Sequence, residues 1–292
     1  MSIPLQPPPG TTEAVHVASV LAVVPHYDDE VLGCGGLLAR LAASGTVVRC
    51  LYLSDGGGGV EEVEDRAEYR RRRREEAERA AAVLGLAGGD HLALPDGALG
   101  EHLSEIEAGL RRALLSLHPD LLLVPSPLEV SADHRAAFAA LHRLLAPLRD
   151  GQGDPALREA AAELRILAYE INHPAHPDLL VDVSAQAEAL TAAMACYASQ
   201  EERHPYLAAG LGLRRFRTLT LPPLASGIEL AEGYRRLSPS DFATRSPAQL
   251  IRHLGGLPEV LEVREGPPVS VIVRTRDRPQ LLSEALASLA GG

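Results

Sequence analysis

Apolar positions along this chain fall into short runs, separated by polar turns marked with glycine and proline, and the runs alternate between two periods. Residues 19–24 (Ser-Val-Leu-Ala-Val-Val) form an unbroken, β-branched apolar stretch, which predicts a strand buried on both faces. Residues 31–43 return to helical spacing, and Gly45 stands where a helix C-terminal cap belongs. Residues 46–53 predict a second buried strand, running into the glycines 56–59. A long helical pattern then covers 61–84 and stops at Gly85. A short strand is predicted at 91–94, a helix at 102–117, a strand at 120–124 and a helix ending near 148. Further strands are predicted at 164–171 and 179–183, and a helix at 184–200 capped by Ser184. Residues 204–237 read as short strands and loops. Residues 1–16 read as a loose lead-in, and 238–267 as a linker carrying one short helix at 247–254. Strands alternating with helices predict an α/β fold, a Rossmann-like three-layer αβα arrangement with a mostly parallel sheet, over residues 17–237.

Composition narrows the classes. The 292 residues are 46% hydrophobic, enough for a packed core, but only 3% aromatic and without tryptophan. The net charge of −11 argues against a general nucleic-acid binder, and few aromatics are present to stack on bases. All 28 basic residues are arginine, so a Schiff-base lysine, a Walker-type loop and a Ser-Lys dyad are excluded. Cys34, Cys50 and Cys196 are widely spaced and form no pairing motif. No run approaches the roughly 18 apolar residues of a membrane helix, and no signal-peptide pattern opens the chain. The expected compartment is the cytoplasm.

The chemistry gathers after the first strand. His26, Asp28, Asp29 and Glu30 follow it directly, and burying such a cluster is costly unless something uses it. In open parallel sheets the carboxyl ends of strands are where ligands collect. A metal ion accounts for the cluster: His26 and Asp29 can turn toward one cation, with Asp28 facing a water. The fourth strand would bring Asp133 and His134 to the same edge, completing a His, Asp, His set from nitrogen and oxygen, the kind of set that leaves a catalytic zinc one open position. Asp55 and Asp96 also follow strands. Asp96 would accept hydrogen bonds from a sugar, or simply form its Asp-Gly turn. The five arginines 70–74, interleaved with glutamates, read as a solvated helix face, with one or two near the start able to reach an anionic group.

The run Pro25-His26-Tyr27-Asp28-Asp29-Glu30 resembles the Pro-His-Pro-Asp-Asp-Glu signature of the PIG-L/LmbE-like zinc deacetylases, with Tyr27 in place of the second proline. Ser131-Ala132-Asp133-His134 resembles their distal His-x-Asp-His. The resemblance implies a zinc-dependent N-deacetylase acting on an N-acetylglucosamine-type glycoconjugate, a small-molecule substrate. It implies one zinc (or another divalent ion) on His26, Asp29 and His134, Asp28 as general base and then acid, and Asp133 as a hydrogen-bonding support. Glu30, Asp55, Asp96 and Ser131 would touch substrate. Ser131 replaces a histidine that stabilises the oxyanion in the family, with His173, His176 or Tyr206 as substitutes.

Two alternatives stand beside this. Gly33, Gly35 and Gly36, with Asp55 about 20 residues on, fit a dinucleotide-binding module loosely. Ser131 would also fit a subunit that holds metal without turnover. Residues 268–292 resemble the opening strand and helix of a family 2 glycosyltransferase, cut short, so no transferase activity is expected of them.

Overall fold

The unbroken apolar run lies in the interior of a sheet, with a strand on either side. In the computed structural model, residues 10–12, 17–58, 65–219 and 227–255 are described. The elements are β1 (Gly10–Thr12), β2 (Ser19–Val24), α1 (Asp29–Ala43), β3 (Val47–Ser54), α2 (Arg66–Val83), β4 (Gly89–Leu94), α3 (Leu103–Leu117), β5 (Leu121–Pro125), α4 (Ala132–Leu145), α5 (Pro155–Ala161), β6 (Arg165–Tyr169), β7 (Leu179–Asp182), α6 (Ala187–Ala195), α7 (Ala198–Glu201), α8 (Tyr206–Thr218), β8 (Ala231–Leu237), α9 (Pro239–Thr244) and α10 (Pro247–Leu254). The strand order is β1-β7-β8-β6-β5-β2-β3-β4. Among the described strands only β8 runs antiparallel to its neighbours, β6 and β7. The fold is thus an α/β three-layer arrangement with a mostly parallel sheet.

Alternation along β2 shows why both faces are apolar. Val20, Ala22 and Val24 pack with Cys34, Leu37 and Leu38 of α1. Leu21 and Val23 point the other way, into a second core with Leu110 and Leu114 of α3 and Leu141 of α4. Each fully buried Val or Leu contributes roughly 1.5–3 kcal/mol. That stabilisation lets the sheet carry charged groups at its edge. Parallel pairing sets Val20 opposite both Val48 and Leu121, so the turns after β2 and β5 meet at one edge.

The glycines of α1 serve packing. A Cβ at Gly33 would lie 2.3 Å from the Tyr169 ring, and one at Gly36 2.6 Å from Val183 Cβ. They let the helix lie close on the sheet, a packing role that accounts for these glycines without a bound dinucleotide.

Several expectations change. Residues 206–218 are a helix, not strands and loops: Leu207, Leu211, Arg214 and Arg217 face inward at helical spacing, and the glycines between them hid the period. Residues 239–254 are not a linker. Both α9 and α10 begin with a capping box, and Phe242 and Leu250 are fully buried in the second core. The helix expected over 184–200 breaks near Tyr197. Ser184 bonds Asp182 and the carbonyl of Leu230 instead of capping it. Within the lead-in, residues 10–12 pair parallel with β7. The glycosyltransferase-like stretch 268–292 lies outside the described residues. No helix among those described is long and apolar enough to cross a membrane.

Candidate metal centre and cavity

The corner between β2 and α1 is tightly tied. His26 N–H donates to Asp29 Oδ2 at 2.9 Å, and Asp29 N–H to the His26 carbonyl at 3.3 Å. Asp28 sits at the helix N-cap with φ 116°, a region a non-glycine residue occupies only at a cost. Its carbonyl accepts from Val31 and Leu32, while its side chain caps nothing. The carboxylate instead borders the cavity, with Arg73 3.3 Å from its Oδ2. Strain of this kind persists only where the surroundings enforce it.

Three donor atoms converge beside it. His26 Nδ1 lies 3.1 Å from Asp29 Oδ2 and 3.2 Å from His134 Nε2, and His134 Nε2 lies 3.2 Å from Asp29 Oδ2. A tetrahedral ion with bonds near 2.05 Å spaces its ligand atoms by about 3.3 Å. The triangle has the size, and the nitrogen and oxygen chemistry, that such an ion needs. The charges around the three groups point the same way. Burial disfavours a charged imidazole at His26, yet Asp133 and Asp29 outweigh it and raise its pKa well above the usual value. Burial likewise opposes charge at His134, yet Asp29 brings it up to about 9. Burial would lift Asp29, but the two histidines hold it well below the carboxylate range. The site calls for positive charge, which a divalent cation would supply.

Each histidine has a carboxylate on its far nitrogen. His26 Nε2 lies 3.1 Å from Asp133 Oδ2, and Asp133 also accepts the N–H groups of Gly97 at 2.7 Å and Leu99 at 3.1 Å. Asp96 Oδ1 is 3.4 Å from the same nitrogen. His134 Nδ1 faces Glu129 Oε2 at 3.3 Å. Carboxylates in this position fix the tautomer and orientation of a ligating imidazole.

A cavity of about 200 Å³ opens over the triangle. His26, Asp28, Asp29, Asp96, Ser131 and His134 reach it. Glu30 does not: it is fully buried and accepts the Tyr197 hydroxyl, and burial pushes its carboxyl up to about 8. Asp55 does not either. It bonds Gly57 N–H at 2.9 Å and Arg70 Nε at 2.8 Å, and so shapes the glycine loop. Gly56 and Gly58 of that loop border the cavity. His173 and His176 stay outside it, whereas Tyr206 faces in.

Of the opposite wall, the sequence offered Tyr206 and, without singling out one, the arginines 70–74. It comprises Arg73, Asn172, Gln200 and Arg203 with Tyr206. Arg73, only 3% exposed, donates to the Tyr27 carbonyl, to Asp28 Oδ2 at 3.3 Å and to Glu76 Oε2 at 3.3 Å. Burial pushes the Asp28 carboxyl up to about 7, against the pull of Arg73. The signal for Arg73 was present: 73, 76, 77, 80 and 81 form the buried stripe of α2, so counting back from its alanines selects one arginine of five.

A family profile described as PIG-L, GlcNAc-PI de-N-acetylase, matches residues 21–145. Among curated proteins there is no match. Among solved structures, the conserved protein TT1542 from Thermus thermophilus is 32% identical, with 75% of this chain and 94% of that one covered and a TM-score of 0.61. The N,N'-diacetylchitobiose deacetylase from Pyrococcus horikoshii is 22% identical, covers 80% of this chain and 89% of its own, and shares the fold at a TM-score of 0.60. GalB, the 4-carboxy-2-hydroxymuconate hydratase from Pseudomonas putida, is 25% identical over 75% of this chain and 95% of its own, with a TM-score of 0.57. Together with the two motif segments, these matches establish that the chain belongs to the PIG-L/LmbE-like deacetylase family.

Proposed function

We propose that this protein is a divalent-metal-dependent N-deacetylase, with zinc as the foremost metal, that hydrolyses the N-acyl group of an N-acetylglucosamine-type conjugate. The observation that carries this reading is the donor triangle of His26, Asp29 and His134, with the carboxylate of Asp28, which caps no backbone amide, beside it. A zinc ion there would supply Lewis acidity, polarising the acyl carbonyl and making water more acidic near neutral pH.

The chain's own groups supply the rest. Asp28 takes a proton from the attacking water as its oxygen bonds to the acyl carbon. It returns that proton to the nitrogen as the C–N bond breaks, releasing a carboxylic acid and an amine. A carboxyl raised by burial suits this exchange near neutrality, and a neighbouring cation would draw it down from about 7. Asp133 acts as a positioning residue, holding His26 from its far nitrogen. Ser131 and Tyr206 bring hydroxyl donors to the cavity, where the family histidine is missing. Burial raises the Tyr206 phenol above its usual pKa, so it stays a donor.

Polar side chains dominate the walls: Asp96, Asn172, Gln200 and Arg203 suit a ring of hydroxyls. The cavity is small beside the roughly 300–1,000 Å³ of many ligand sites. One N-acylated sugar residue fits, with the rest of the conjugate outside.

Elemental analysis of the purified protein, paired with an amine-release assay on N-acetylglucosamine derivatives, tests the reading. About one divalent ion per chain and chelator-sensitive amine release are expected. Metal without amine release over a broad N-acyl panel would sink the deacetylase assignment. The similarity to a hydratase gives a second reading, water addition to a carbon–carbon double bond, and an ultraviolet assay on unsaturated dicarboxylates separates the two.

A further inference from the structure

Glu129 lies in the turn between β5 and α4, and its side chain is fully buried. Its Oε2 lies 3.3 Å from His134 Nδ1 and accepts the N–H of Asn172 at 3.1 Å. Its Oε1 accepts the N–H groups of Ile171 at 2.7 Å and His173 at 3.4 Å. The segment 171–173 follows β6, and Asn172 borders the cavity. One carboxylate thus touches a candidate metal ligand on one side and three consecutive backbone donors of the cavity wall on the other.

We infer that Glu129 is a positioning residue that couples metal binding at His134 to the order of the 171–173 wall, and so links the metal centre to substrate binding. This rests on the metal reading given above. An imidazole that offers Nε2 to a metal must carry its proton on Nδ1, and Glu129 is the acceptor that proton meets. A carboxylate has about four lone-pair sites. Three backbone amides and one imidazole fill them, so no contact can be lost without leaving a buried anion underpaired. With an ion in place, the imidazole is fixed as a donor, and the fourth contact is secured. The carboxylate is then held from both ends and the wall with it. Without an ion the His134 ring loses its anchor at Nε2, and the wall loses the support that reaches it through Glu129.

The test uses the full chain with zinc chloride as the only added probe. Amide hydrogen exchange is measured in metal-free and zinc-loaded wild type. Exchange at residues 171–173 is expected to slow several-fold on loading, while amides in the second half of α3, which gives the cavity no residue, stay unchanged. Glu129→Gln keeps the shape but turns an NH2 group against either the imidazole N–H or a backbone N–H. It is expected to weaken zinc by roughly 10–100-fold in chelator competition, to abolish the zinc-dependent protection at 171–173, and to raise KM for an N-acetylglucosamine conjugate at saturating zinc. Equal exchange at 171–173 with and without bound zinc overturns the inference, as does a folded Glu129→Gln protein that holds zinc as tightly as wild type. If that variant does not fold, the wild-type comparison decides alone. Wild type that takes up no zinc overturns the metal reading itself, a distinct failure.

Discussion

The two walls of the cavity are built in different ways. One comes from the turns after β2 and β5: His26, Asp28, Asp29, Ser131 and His134 arise from two segments of a few residues each. The other comes from α2, the segment after β6, and the α7–α8 region: Arg73, Asn172, Gln200, Arg203 and Tyr206 share no local motif. The first is positioned by strand register, which the parallel pairing of two interior strands makes rigid. The second is positioned by helix packing and buried ion pairs. Arg73 is fixed through Glu76, which also accepts from Ser199 N–H at 3.0 Å and Ser199 Oγ at 2.5 Å. Chemistry concentrates where position is set by register. Recognition gathers where position depends on side chains that can vary without disturbing the sheet.

The sharpest way to break this contrast is at the register-set wall. His134→Ala removes one of three donors and the contact to Glu129. Loss of bound metal by elemental analysis, and of amine release down to background, is expected. A variant that retained both would show that His134 holds no ion.

Asp28→Asn comes next. Asparagine tolerates positive φ better than alanine would, so the corner at φ 116° is kept. It cannot take a proton. The expected result is unchanged metal content with kcat lowered at least about 100-fold, the scale of general acid–base catalysis. Comparable turnover would end the role given to Asp28.

How much of this was legible in the sequence follows the same division. The layered fold, the first motif and the distal Asp133-His134 pair could be read because strand ends announce themselves: an apolar run stops and ionisable residues begin. Glu129 could not. It lies five residues before His134, but its partners are amides some 40 residues later, brought near by the pairing of Pro125 with Tyr169. Glu30 misled for the opposite reason. It belongs to the motif in sequence, but one further step along the helix turns it from the cavity into the core, toward Tyr197. Arg214 and Arg217 of α8 lie in the stretch read as short strands and loops. Each is buried against an acid, Glu232 for the first at 2.6 Å and Glu170 for the second. Charge alone does not tell a solvated arginine from a buried one; helical phase does.

The helix-set wall is probed by Arg73→Gln. The change leaves Asp28 and Glu76 buried without their shared cation. Breaking a buried pair this way costs about 3 kcal/mol or more, so a lower midpoint in urea unfolding is expected. The pH dependence has a definite sign. Arg73 pulls the Asp28 pKa down, so its loss lets that pKa rise, and the ionised base disappears at a higher pH. The acid limb of the activity profile should move to higher pH, with activity lost more at mildly acid pH than in alkaline buffer. An unmoved acid limb would separate Arg73 from the chemistry.

The smallest effect is expected two residues earlier in the same run. Arg71 pairs with Glu68 and Glu75 one turn to either side, its side chain two-thirds exposed at 66%. Exposed i,i+4 pairs gain little, because water already solvates both charges and two long side chains lose freedom to meet. Arg71→Ala should therefore leave kcat and metal content unchanged and move stability by no more than about 0.5 kcal/mol. Set beside Arg73→Gln, and repeated as Arg71→Gln so that only phase differs, it compares one residue type on one helix. If both variants were equally harmless, the buried stripe of α2 would be no more than packing. If both were equally damaging, the arginine run would act as a single charged surface. A large effect at 73 with none at 71 requires that helical phase, and not charge, brings one guanidinium of the five into the cavity.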